Sequence, residues 1–465
     1  MEAAVKIEKS NVPVPEPKKK HPRGLYLLFF TEMWERFSYY GMRGILALYL
    51  AASYLSGGLG YDQGTASLIF GFYTGACYFT PLAGGYLTDR FLGRRWAITL
   101  GGVTMALGNF ILFAEHSRWG LYLGLALLVF GNGFFKPNVS TLVGELYEKD
   151  DKRRDAAFTI FYMGINLGAF LAPLVVGLVG DYFSTNVNGV IQHGYRYGFL
   201  ASSIGMIIGQ VLFNALSNRF LGEIGKKPVG KMAPSKQMPA VDKKTPLTKQ
   251  EKRRTLAIII LTCFVVFFWA GFEQAGTSLT FYTQTFVNRN VFGWEVPTEM
   301  FQSINPAFII ILAPLIAKLW SALSKREKGD WPTPVKMGLG MILLGIGYMV
   351  LLTAVMQTGG DAHHVTVKAN ILFIIFTYFF HTVGELFLSP IGLSMVSEIA
   401  PIKYASLLMG VWLASTGIAD ILAGQLAAFT ETMGYFQIFG AIGALSIIFG
   451  IILLALSKKI AKLMA

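Results

Sequence analysis

Long apolar runs separated by short polar segments dominate the chain. Twelve of these runs reach the length of about 20 mostly apolar residues that an α-helix needs to cross a bilayer. Their predicted bounds are 24–54, 65–88, 95–114, 119–146, 156–181, 197–217, 255–286, 299–320, 334–355, 369–397, 404–429 and 435–456. The pattern therefore predicts an all-α polytopic membrane protein with twelve spans.

One polar segment is much longer than the others. Residues 219–254 are rich in Lys and Pro and contain almost no large apolar side chains. They separate six predicted spans in 24–218 from six in 255–457, and short tails at 1–23 and 458–465 complete the chain. A basic connector of this kind either lies on anionic lipid or carries a site for a protein partner.

Composition disfavours most other classes of protein. Apolar residues make up 53% of the 465 residues and charged residues only 14%, whereas a soluble domain has about 25% charged residues. A soluble enzyme and a nucleic-acid-binding domain are therefore not expected. The sequence contains no GxxxxGK[ST], HExxH or CxxC pattern, so neither ATP-driven pumping nor a zinc centre is indicated.

The net charge of +13 is concentrated on one side of the predicted membrane. With the N-terminus placed inside, 33 of the 40 Lys and Arg residues fall in inner tails, loops and the connector, and four fall in outer loops. Short cytoplasmic loops carry the excess of Lys and Arg in membrane proteins. The bias predicts an inner cell membrane protein with both termini cytoplasmic, and it explains the basic charge without a nucleic-acid partner.

Five polar residues of span 1 form a stripe. Glu32, Glu35, Arg36, Tyr39 and Arg43 fall within an arc of about 100° on a helix that advances about 100° per residue. Ionisable groups are unfavourable in lipid, so the stripe must face protein or water. It predicts either an ion-pair network that holds helices together or a polar cavity that handles charged solute, protons or both.

Other spans supply further ionisable residues, and all the bases are in the N-terminal half. Lys136 lies in span 4, Glu273 in span 7, Glu385 in span 10 and Asp420 in span 11. Pairs across the halves are therefore expected, such as Arg43 with Glu273 or Lys136 with Glu385. Pairs that exchange as the halves rock would couple binding to movement, and unpaired acids would carry protons. No role is assigned to Asp420.

Three local expectations concern residues near these charges. Gly131, Gly133 and Pro137 predict an irregular helix in span 4, as is found where backbone lines a cavity. Glu145 lies near a cytoplasmic end and is expected to be solvated. His381 is the one histidine inside a predicted span, and it is expected to be neutral and hydrogen-bonded rather than a proton relay.

Several segments match long family signatures. ExxERFxYYG runs from Glu32 to Gly41, span 4 contains FGNGFFKPNVSTLVGELY, and span 5 contains FYMGINLGAFLAP. FEQAG, QSINP and the loop segment GGYLTDRFLGRR at 84–95 match as well. Over about residues 25–457 the chain resembles the proton-dependent oligopeptide transporters, a branch of the major facilitator superfamily. The resemblance implies the major facilitator fold, with 12 transmembrane helices in two six-helix bundles.

The resemblance also implies roles for individual residues. Proton coupling would involve Glu32, Glu35, Arg36 and Glu273. The peptide carboxylate would meet Arg43 and Lys136, and the peptide amino group would meet Glu385 with Ser389 beside it. The rest of the peptide pocket would be lined by Tyr39, Tyr40, Tyr78, Asn166, Trp269, Glu273, Asn305 and Trp412. The loop motif would act in the conformational change through Gly85, Asp89, Arg90, Gly93 and Arg94.

The chain departs from the family pattern at two places. Many bacterial relatives insert two extra helices between the halves, but the connector here is too short and too polar, so twelve spans are expected. Animal relatives use a histidine in span 2, where Gly71 stands in this chain. Proton transfer is therefore expected to use carboxylates.

Together these features predict a proton-coupled symporter that imports di- and tripeptides by alternating access. It would work as a monomer in the lipid bilayer, with no cofactor besides the proton gradient. A nitrate-like anion or another small solute is the alternative, since buried Arg and Lys would suit an anion, although the ExxER acids and Glu385 would repel one. A channel would not need the loop motif, and no catalytic constellation supports a membrane enzyme.

Overall fold

The computed structural model describes residues 20–148, 151, 153–228, 247–327, 329–360, 365–401 and 403–464. Within these ranges it has thirteen α-helices, which are α1 (Arg23–Ala51), α2 (Gln63–Leu87), α3 (Arg94–Ala114), α4 (Arg118–Glu145), α5 (Arg154–Tyr182), α6 (Tyr195–Leu221), α7 (Lys249–Phe272), α8 (Ser278–Phe286), α9 (Ile304–Ser324), α10 (Thr333–Thr358), α11 (Ile371–Ile399), α12 (Ala405–Met433) and α13 (Tyr435–Met464). The all-α expectation is confirmed.

The helices occupy the places of the predicted apolar runs, with α7 and α8 sharing one run. A 3₁₀ turn at Glu273–Gly276 separates these two helices, and a second 3₁₀ turn at Thr298–Ser303 leads into α9. Helix α7 begins earlier than the apolar run because Thr248 and Glu251 form a capping box at its N-terminus. Capping satisfies backbone N–H groups regardless of hydropathy, so the helix extends into polar sequence.

Ten helical segments in the described ranges are long and apolar enough to cross a bilayer, which makes the protein a multi-pass membrane protein. Helices α1 and α2 are not among them. Helix α1 carries the charged stripe from Glu32 to Arg43, and α2 is rich in Gly, Thr and Tyr. Most of α1 and ten of the 25 residues of α2 are buried by other helices, so protein contacts compensate for much of their polarity.

Six short strands complete the described secondary structure. Strands β1 (Thr185–Val187) and β2 (Val190–Gln192) form an antiparallel hairpin. Asn188 and Gly189 at its turn both have positive φ, as a tight two-residue hairpin requires. Strands β4 (Asn290–Val291) and β5 (Trp294–Glu295) are also antiparallel, whereas β3 (Val287–Asn288) pairs in parallel with β6 (Ala369–Asn370).

Buried apolar side chains form two clusters. One is built mainly from α1–α6, where α1 packs on α5 and α6 and α3 packs on α4 and α6. The other is built from α7–α13, where α10 packs on α11 and α13 and α7 packs on α12 and α13. The chain between the clusters includes residues 229–246 of the predicted connector, which lie outside the described residues.

Helices α2 and α12 form the closest contact between the two clusters, and we call this contact the α2–α12 seam. A Cβ atom on Gly71 would lie 2.7 Å from the Asp420 carbonyl oxygen, and one on Gly424 would lie 2.6 Å from the Ser67 carbonyl oxygen. At the far end, the Glu431 carboxylate accepts a hydrogen bond from the Gly64 backbone N–H at 2.8 Å. Small residues allow this approach of two backbones, as is common between membrane helices.

Helix α4 is continuous, so the predicted irregularity in span 4 is wrong. Pro137 lies inside the helix without interrupting it. The neighbouring glycines serve packing instead, because a Cβ on Gly131 would lie 2.5 Å from the Gly101 carbonyl oxygen. A Cβ on Gly133 would lie 2.9 Å from Cβ of Thr80 on α2. These residues let α4 approach α3 and α2.

Candidate functional site

A polar cavity lies between the two clusters. It has a volume of about 1000 Å³, open solvent included, which is within the range of small-molecule sites. Helices α1, α2, α5, α7, α9 and α11 and both 3₁₀ turns form its walls. The polar and aromatic residues in these walls are Tyr40, Arg43, Tyr78, Tyr162, Asn166, Trp269, Phe272, Glu273, Gln302, Asn305, Tyr378, His381 and Glu385.

Arg43 and Glu273 form an ion pair in the cavity wall, as the sequence predicted. The 3₁₀ turn that ends α7 positions Glu273 against α1. The Arg43 guanidinium also lies 5.5 Å from the ring centroid of Phe70 and 6.0 Å from that of Tyr40. The N-terminal half thus supplies the cation of this ion pair, and the C-terminal half supplies the anion. An incoming solute can reach both groups from the cavity.

The second predicted pair, between Lys136 and Glu385, is wrong. Asn305 donates a hydrogen bond of 2.9 Å to Glu385 and another of 3.0 Å to Thr382. The Lys136 ammonium lies 4.0 Å from the ring centroid of Tyr78, a cation–π contact. No ion pair of Lys136 is found in the described part of the chain. Glu385 on α11 lies in the cavity wall, whereas Lys136 on α4 does not.

Glu32, Glu35 and Arg36 form a closed network apart from the cavity wall. Arg36 Nε lies 3.1 Å from Glu32 Oε1, and Arg36 Nη2 donates a hydrogen bond of 2.8 Å to Glu35 Oε1. The three residues are 3%, 0% and 6% exposed. Glu32 Oε2 has no partner among the described residues. The polar stripe of α1 contains both this network and Arg43. The ion-pair explanation of the stripe therefore applies to the network, and the cavity explanation applies to Arg43.

Four residues expected at the peptide pocket are not in the cavity wall. Tyr39 is buried beneath Arg36, whose guanidinium carbon lies 5.3 Å from the Tyr39 ring centroid. Trp412 is packed in the C-terminal cluster, where a Cβ on Gly392 would lie 2.2 Å from Cζ2 of its ring. The other two are Lys136 and Ser389. The remaining pocket residues expected from the sequence do lie together in the wall.

The wall also contains residues that were missing from the expected pocket, among them Tyr162, Gln302 and Tyr378. Tyr162 precedes Asn166 by one helical turn, and Tyr378 precedes Glu385 by two turns. Gln302 Nε2 donates weak hydrogen bonds to the Gly44 carbonyl at 3.4 Å and to Thr280 Oγ1 at 3.3 Å. Helical spacing from residues already expected in the pocket would have identified the two tyrosines.

His381 lies in the same wall, where it is buried. Its ring centroid is 4.8 Å from that of Tyr348, and it has a hydrogen bond to the backbone of Leu344. Its Nε2 atom has no partner among the residues described. The hydrogen bond agrees with the expected environment, and the absence of a relay role stays a prediction.

The loop motif connects α2 and α3 to α4 and to the segment after α6. Arg94 pairs with Asp89 at 3.3 Å and also with Glu145 at the end of α4. Glu145 is exposed at this end of α4, as expected, and it has Arg94 as its partner. Arg90 donates a hydrogen bond of 2.6 Å to the Tyr86 hydroxyl. Gly93 has a φ of 81°, and a Cβ there would lie 2.7 Å from the Lys226 carbonyl oxygen. Gly85 lies beside Pro137 of α4.

Glu299 is a buried acid that the sequence analysis did not single out. It is 5% exposed, in the 3₁₀ turn before α9, and its Cγ would lie 3.3 Å from a Cβ on Gly177 of α5. It borders a second cavity of about 590 Å³, which is also lined by Asp181, His193, Arg289 and Glu295. Contacts between the clusters bury it.

The chain is similar to known transporters over nearly its whole length. A family model described as the POT family matches residues 95–234 and 229–445. An uncharacterized transporter, YclF, from Bacillus subtilis is 35% identical, with 96% of this chain and 95% of that protein covered. A di-/tripeptide transporter from Lactococcus lactis subsp. lactis is 32% identical, with 95% and 96% covered.

Among solved structures, a peptide transporter POT in complex with sulfate superposes with a TM-score of 0.85 at 34% identity, covering 96% of this chain and 97% of that one. The family model and these identities over whole chains agree with the span-1, span-4 and span-5 motifs. The chain belongs to the POT family, the proton-dependent oligopeptide transporters.

Proposed function

We propose that this protein is a proton-coupled symporter that imports di- and tripeptides by alternating access. The observation that carries the proposal is the cavity, which has a base of the N-terminal half, Arg43, and a hydrogen-bonded acid of the C-terminal half, Glu385, in its walls. A peptide is a zwitterion with charges at its two ends, so opposite charges in opposite walls match it. Relatives that are named di-/tripeptide transporters support the same substrate class.

The Arg43–Glu273 pair offers a physical reason for coupling. A peptide carboxylate that binds Arg43 competes with Glu273 for the guanidinium. Glu273 is buried, and an ionised carboxylate that loses its partner in such a place is strongly disfavoured. Proton binding to Glu273 removes this penalty, so peptide and proton bind more favourably together. Glu32, Glu35 and Arg36 would hold or pass on the proton at the inner side of the same helix.

Polar residues of the wall would orient the peptide. Asn305 holds the Glu385 carboxylate through its amide and thereby points an acceptor at the peptide amino group. Tyr40, Tyr78 and Asn166 offer hydroxyl and amide groups to the peptide backbone, and Trp269 supplies an apolar face. Lys136 lies behind Tyr78 of the cavity wall. Its ammonium can reach a peptide carboxylate by leaving the Tyr78 ring. Ser389, Tyr39 and Trp412 would support the pocket from behind.

Alternating access would move two bundles of six helices, 24–218 and 255–457, about the cavity. The α2–α12 seam and the hydrogen bond of 2.8 Å from Ser303 to the Phe170 carbonyl join the bundles on the side that the charge bias assigns to the outside. These contacts must separate before a peptide can enter from outside. Asp89, Arg94 and the other loop-motif residues would stabilise one arrangement on the inner side.

We further propose that both termini are cytoplasmic, that the protein works as a monomer in the inner cell membrane, and that the proton gradient alone drives transport without a cofactor. Uptake of labelled dialanine into proteoliposomes with an imposed pH gradient tests the central proposal. Accumulation that needs the gradient is expected. Equal uptake without the gradient would contradict coupling, and gradient-driven nitrate uptake in place of peptide uptake would favour the anion alternative.

A further inference from the structure

Asp420 on α12 is a buried acid that the proposed mechanism does not use. It is 3% exposed and lies in the α2–α12 seam, where its own carbonyl oxygen is 2.7 Å from the position of a Cβ on Gly71. Its Oδ1 atom has no hydrogen-bond partner in the part of the chain that is described. Buried polar atoms nearly always have hydrogen-bond partners, so the unpaired Oδ1 atom of this acid requires an explanation.

The hydrogen bonding of Thr74 favours a neutral Asp420. Thr74 of α2 lies beside the Asp420 carboxyl group. The Thr74 hydroxyl has one hydrogen, and the carbonyl oxygens of Phe70 and Gly71 lie 3.0 and 3.2 Å away as acceptors. An ionised Asp420 would have to compete for this hydrogen. A neutral Asp420 can donate its own hydrogen to the Thr74 oxygen, so that both groups are satisfied.

The two cations nearest to Asp420 make their closest contacts with other groups, although Arg43 Nε has no hydrogen-bond partner among the described residues. Arg43 from α1 and Lys136 from α4 face its carboxyl group, but Arg43 is paired with Glu273 and Lys136 lies on an aromatic ring. The 3₁₀ turn that packs on α12 contributes Glu273 itself. The other titratable neighbours are two phenols and a thiol, those of Tyr39, Tyr78 and Cys77. None of the described ion pairs includes Asp420.

We propose that Asp420 is a second proton-binding residue of the transport cycle, neutral while α2 and α12 are in contact and ionised when water enters the seam. This inference rests on the proposed proton-coupled transport. An ionised carboxylate in the closed seam would have no hydrogen-bond donor at Oδ1, so proton binding favours closure of the seam. Closure of the outer side thus depends on the outside pH through Asp420, independently of Glu273.

A structural role makes a different prediction. If Asp420 served only as an ionised counter-ion for Arg43 and Lys136, its replacement would weaken the protein at every pH above the usual carboxyl pKa of about 4 and would leave the pH dependence of seam closure in that range unchanged. A proton-binding role requires that replacement changes the pH dependence of seam closure. Asp420→Asn distinguishes the two, because its amide matches the neutral acid in shape and can donate a hydrogen bond to Thr74.

Spin-label distances across the outer end of the seam test the proposal directly. Leu55→Cys and Met433→Cys place labels at exposed positions in a Cys263→Ala background, where the remaining Cys77 is buried. The short-distance population of the otherwise native protein should rise as the pH falls. In Asp420→Asn it should be high and independent of pH over the same range. An unchanged pH dependence in Asp420→Asn, or none in the parent, would overturn the proposal.

Two further variants complete the experiment. Glu431→Gln removes an exposed acid from the same seam and should leave the midpoint pH unchanged. Thr74→Val removes the acceptor for the neutral acid and should move the midpoint to lower pH, which decides the matter if Asp420→Asn does not fold. Dialanine uptake by the same preparations separates the two proposals. If seam closure depends on pH but dialanine is not taken up, peptide transport is contradicted. If dialanine uptake is normal and Asp420→Asn does not change the pH dependence of seam closure, the role of Asp420 is contradicted.

Discussion

Three bases lie inside helices α1 and α4, and they differ in how completely their charge is satisfied. Arg36 is held between two carboxylates, Arg43 has one, and Lys136 has an aromatic ring. A fully paired guanidinium offers little to an incoming anion, whereas a singly paired cation can exchange its partner. We therefore propose that Arg43 and Lys136 recognise a substrate carboxylate and that Arg36 holds its acids in place.

Glu385→Ala should weaken the binding of peptides with a free amino group. Loss of a hydrogen bond to a charged group costs about 1.5–3 kcal/mol, which corresponds to a KM raised by roughly tenfold to 100-fold. Acetylated peptides, which lack the positive charge, should be affected much less. The measurement is competition for dialanine uptake by each peptide, with the exposed Glu398→Ala on the same helix as the control. Equal losses for both peptides would remove Glu385 as the amine partner.

Glu35→Gln should abolish uptake driven by a pH gradient and spare counterflow exchange. Glu35 is fully buried against Arg36, so a neutral amide keeps the shape of the network but cannot release a proton. Exchange of labelled for unlabelled peptide needs no net proton movement. Loss of both activities would indicate a structural role for the network instead.

Small residues decide where the helices of this protein cross. Gly84 of α2 meets the Gly133 backbone of α4, and Gly338 of α10 meets that of Gly450 on α13. In a membrane, where lipid is as apolar as leucine, such close packing supplies much of the association between helices. The 3₁₀ turn at Glu273–Gly276 ends α7 and places Glu273 in the cavity wall. Packing glycines and a helix interruption thus have separate uses in this fold.

Gly84→Ala should destabilise the protein, because the added Cβ would lie only 2.0 Å from the Gly133 carbonyl oxygen. Overpacking of this kind costs typically about 1–3 kcal/mol. The measurement is the thermal unfolding midpoint in detergent. Gly410→Ala on α12 is the matched control, because a Cβ there meets no atom within 4 Å. If both variants unfold at the same temperature, the close crossing of α2 and α4 is not a source of stability.

The whole molecule is organised by two clusters of helices with a polar cavity between them. The contacts that join them, among them the α2–α12 seam, lie toward the side predicted to be outside. The basic tails and loops are predicted to lie on the other side, away from these contacts. An impermeant reagent can determine which side is which.

Phe292→Cys and Lys459→Cys should be labelled from opposite sides of the membrane. Phe292 is fully exposed at the turn between β4 and β5, and Lys459 is exposed near the end of α13. In a Cys263→Ala background, an impermeant maleimide should label position 292 in intact cells and position 459 in inverted vesicles. Labelling of both positions from one side would contradict the proposed orientation.

The sequence predicts the positions of the helices well and the contacts of individual side chains less well. Apolar runs and loop charges depend only on local sequence, so the helices were located to within one or two turns. The rotation and tilt of each helix depend on all its neighbours. For this reason the Arg43–Glu273 pair was expected correctly, while Lys136 was given the wrong partner. Glu299 was missed because its burial arises between the clusters and has no local signal.

The polarity of α1 has a consequence for the synthesis of the chain. On scales of insertion by the translocon, each charged residue at the centre of a helix is unfavourable by roughly 2.5–3.5 kcal/mol, and α1 carries four of them between Glu32 and Arg43. Their partners on α1 itself are close at hand, but Glu273 is made more than 200 residues later. We therefore expect α1 to wait at the edge of the translocon until α5 and α6, which pack against it, have emerged from the ribosome.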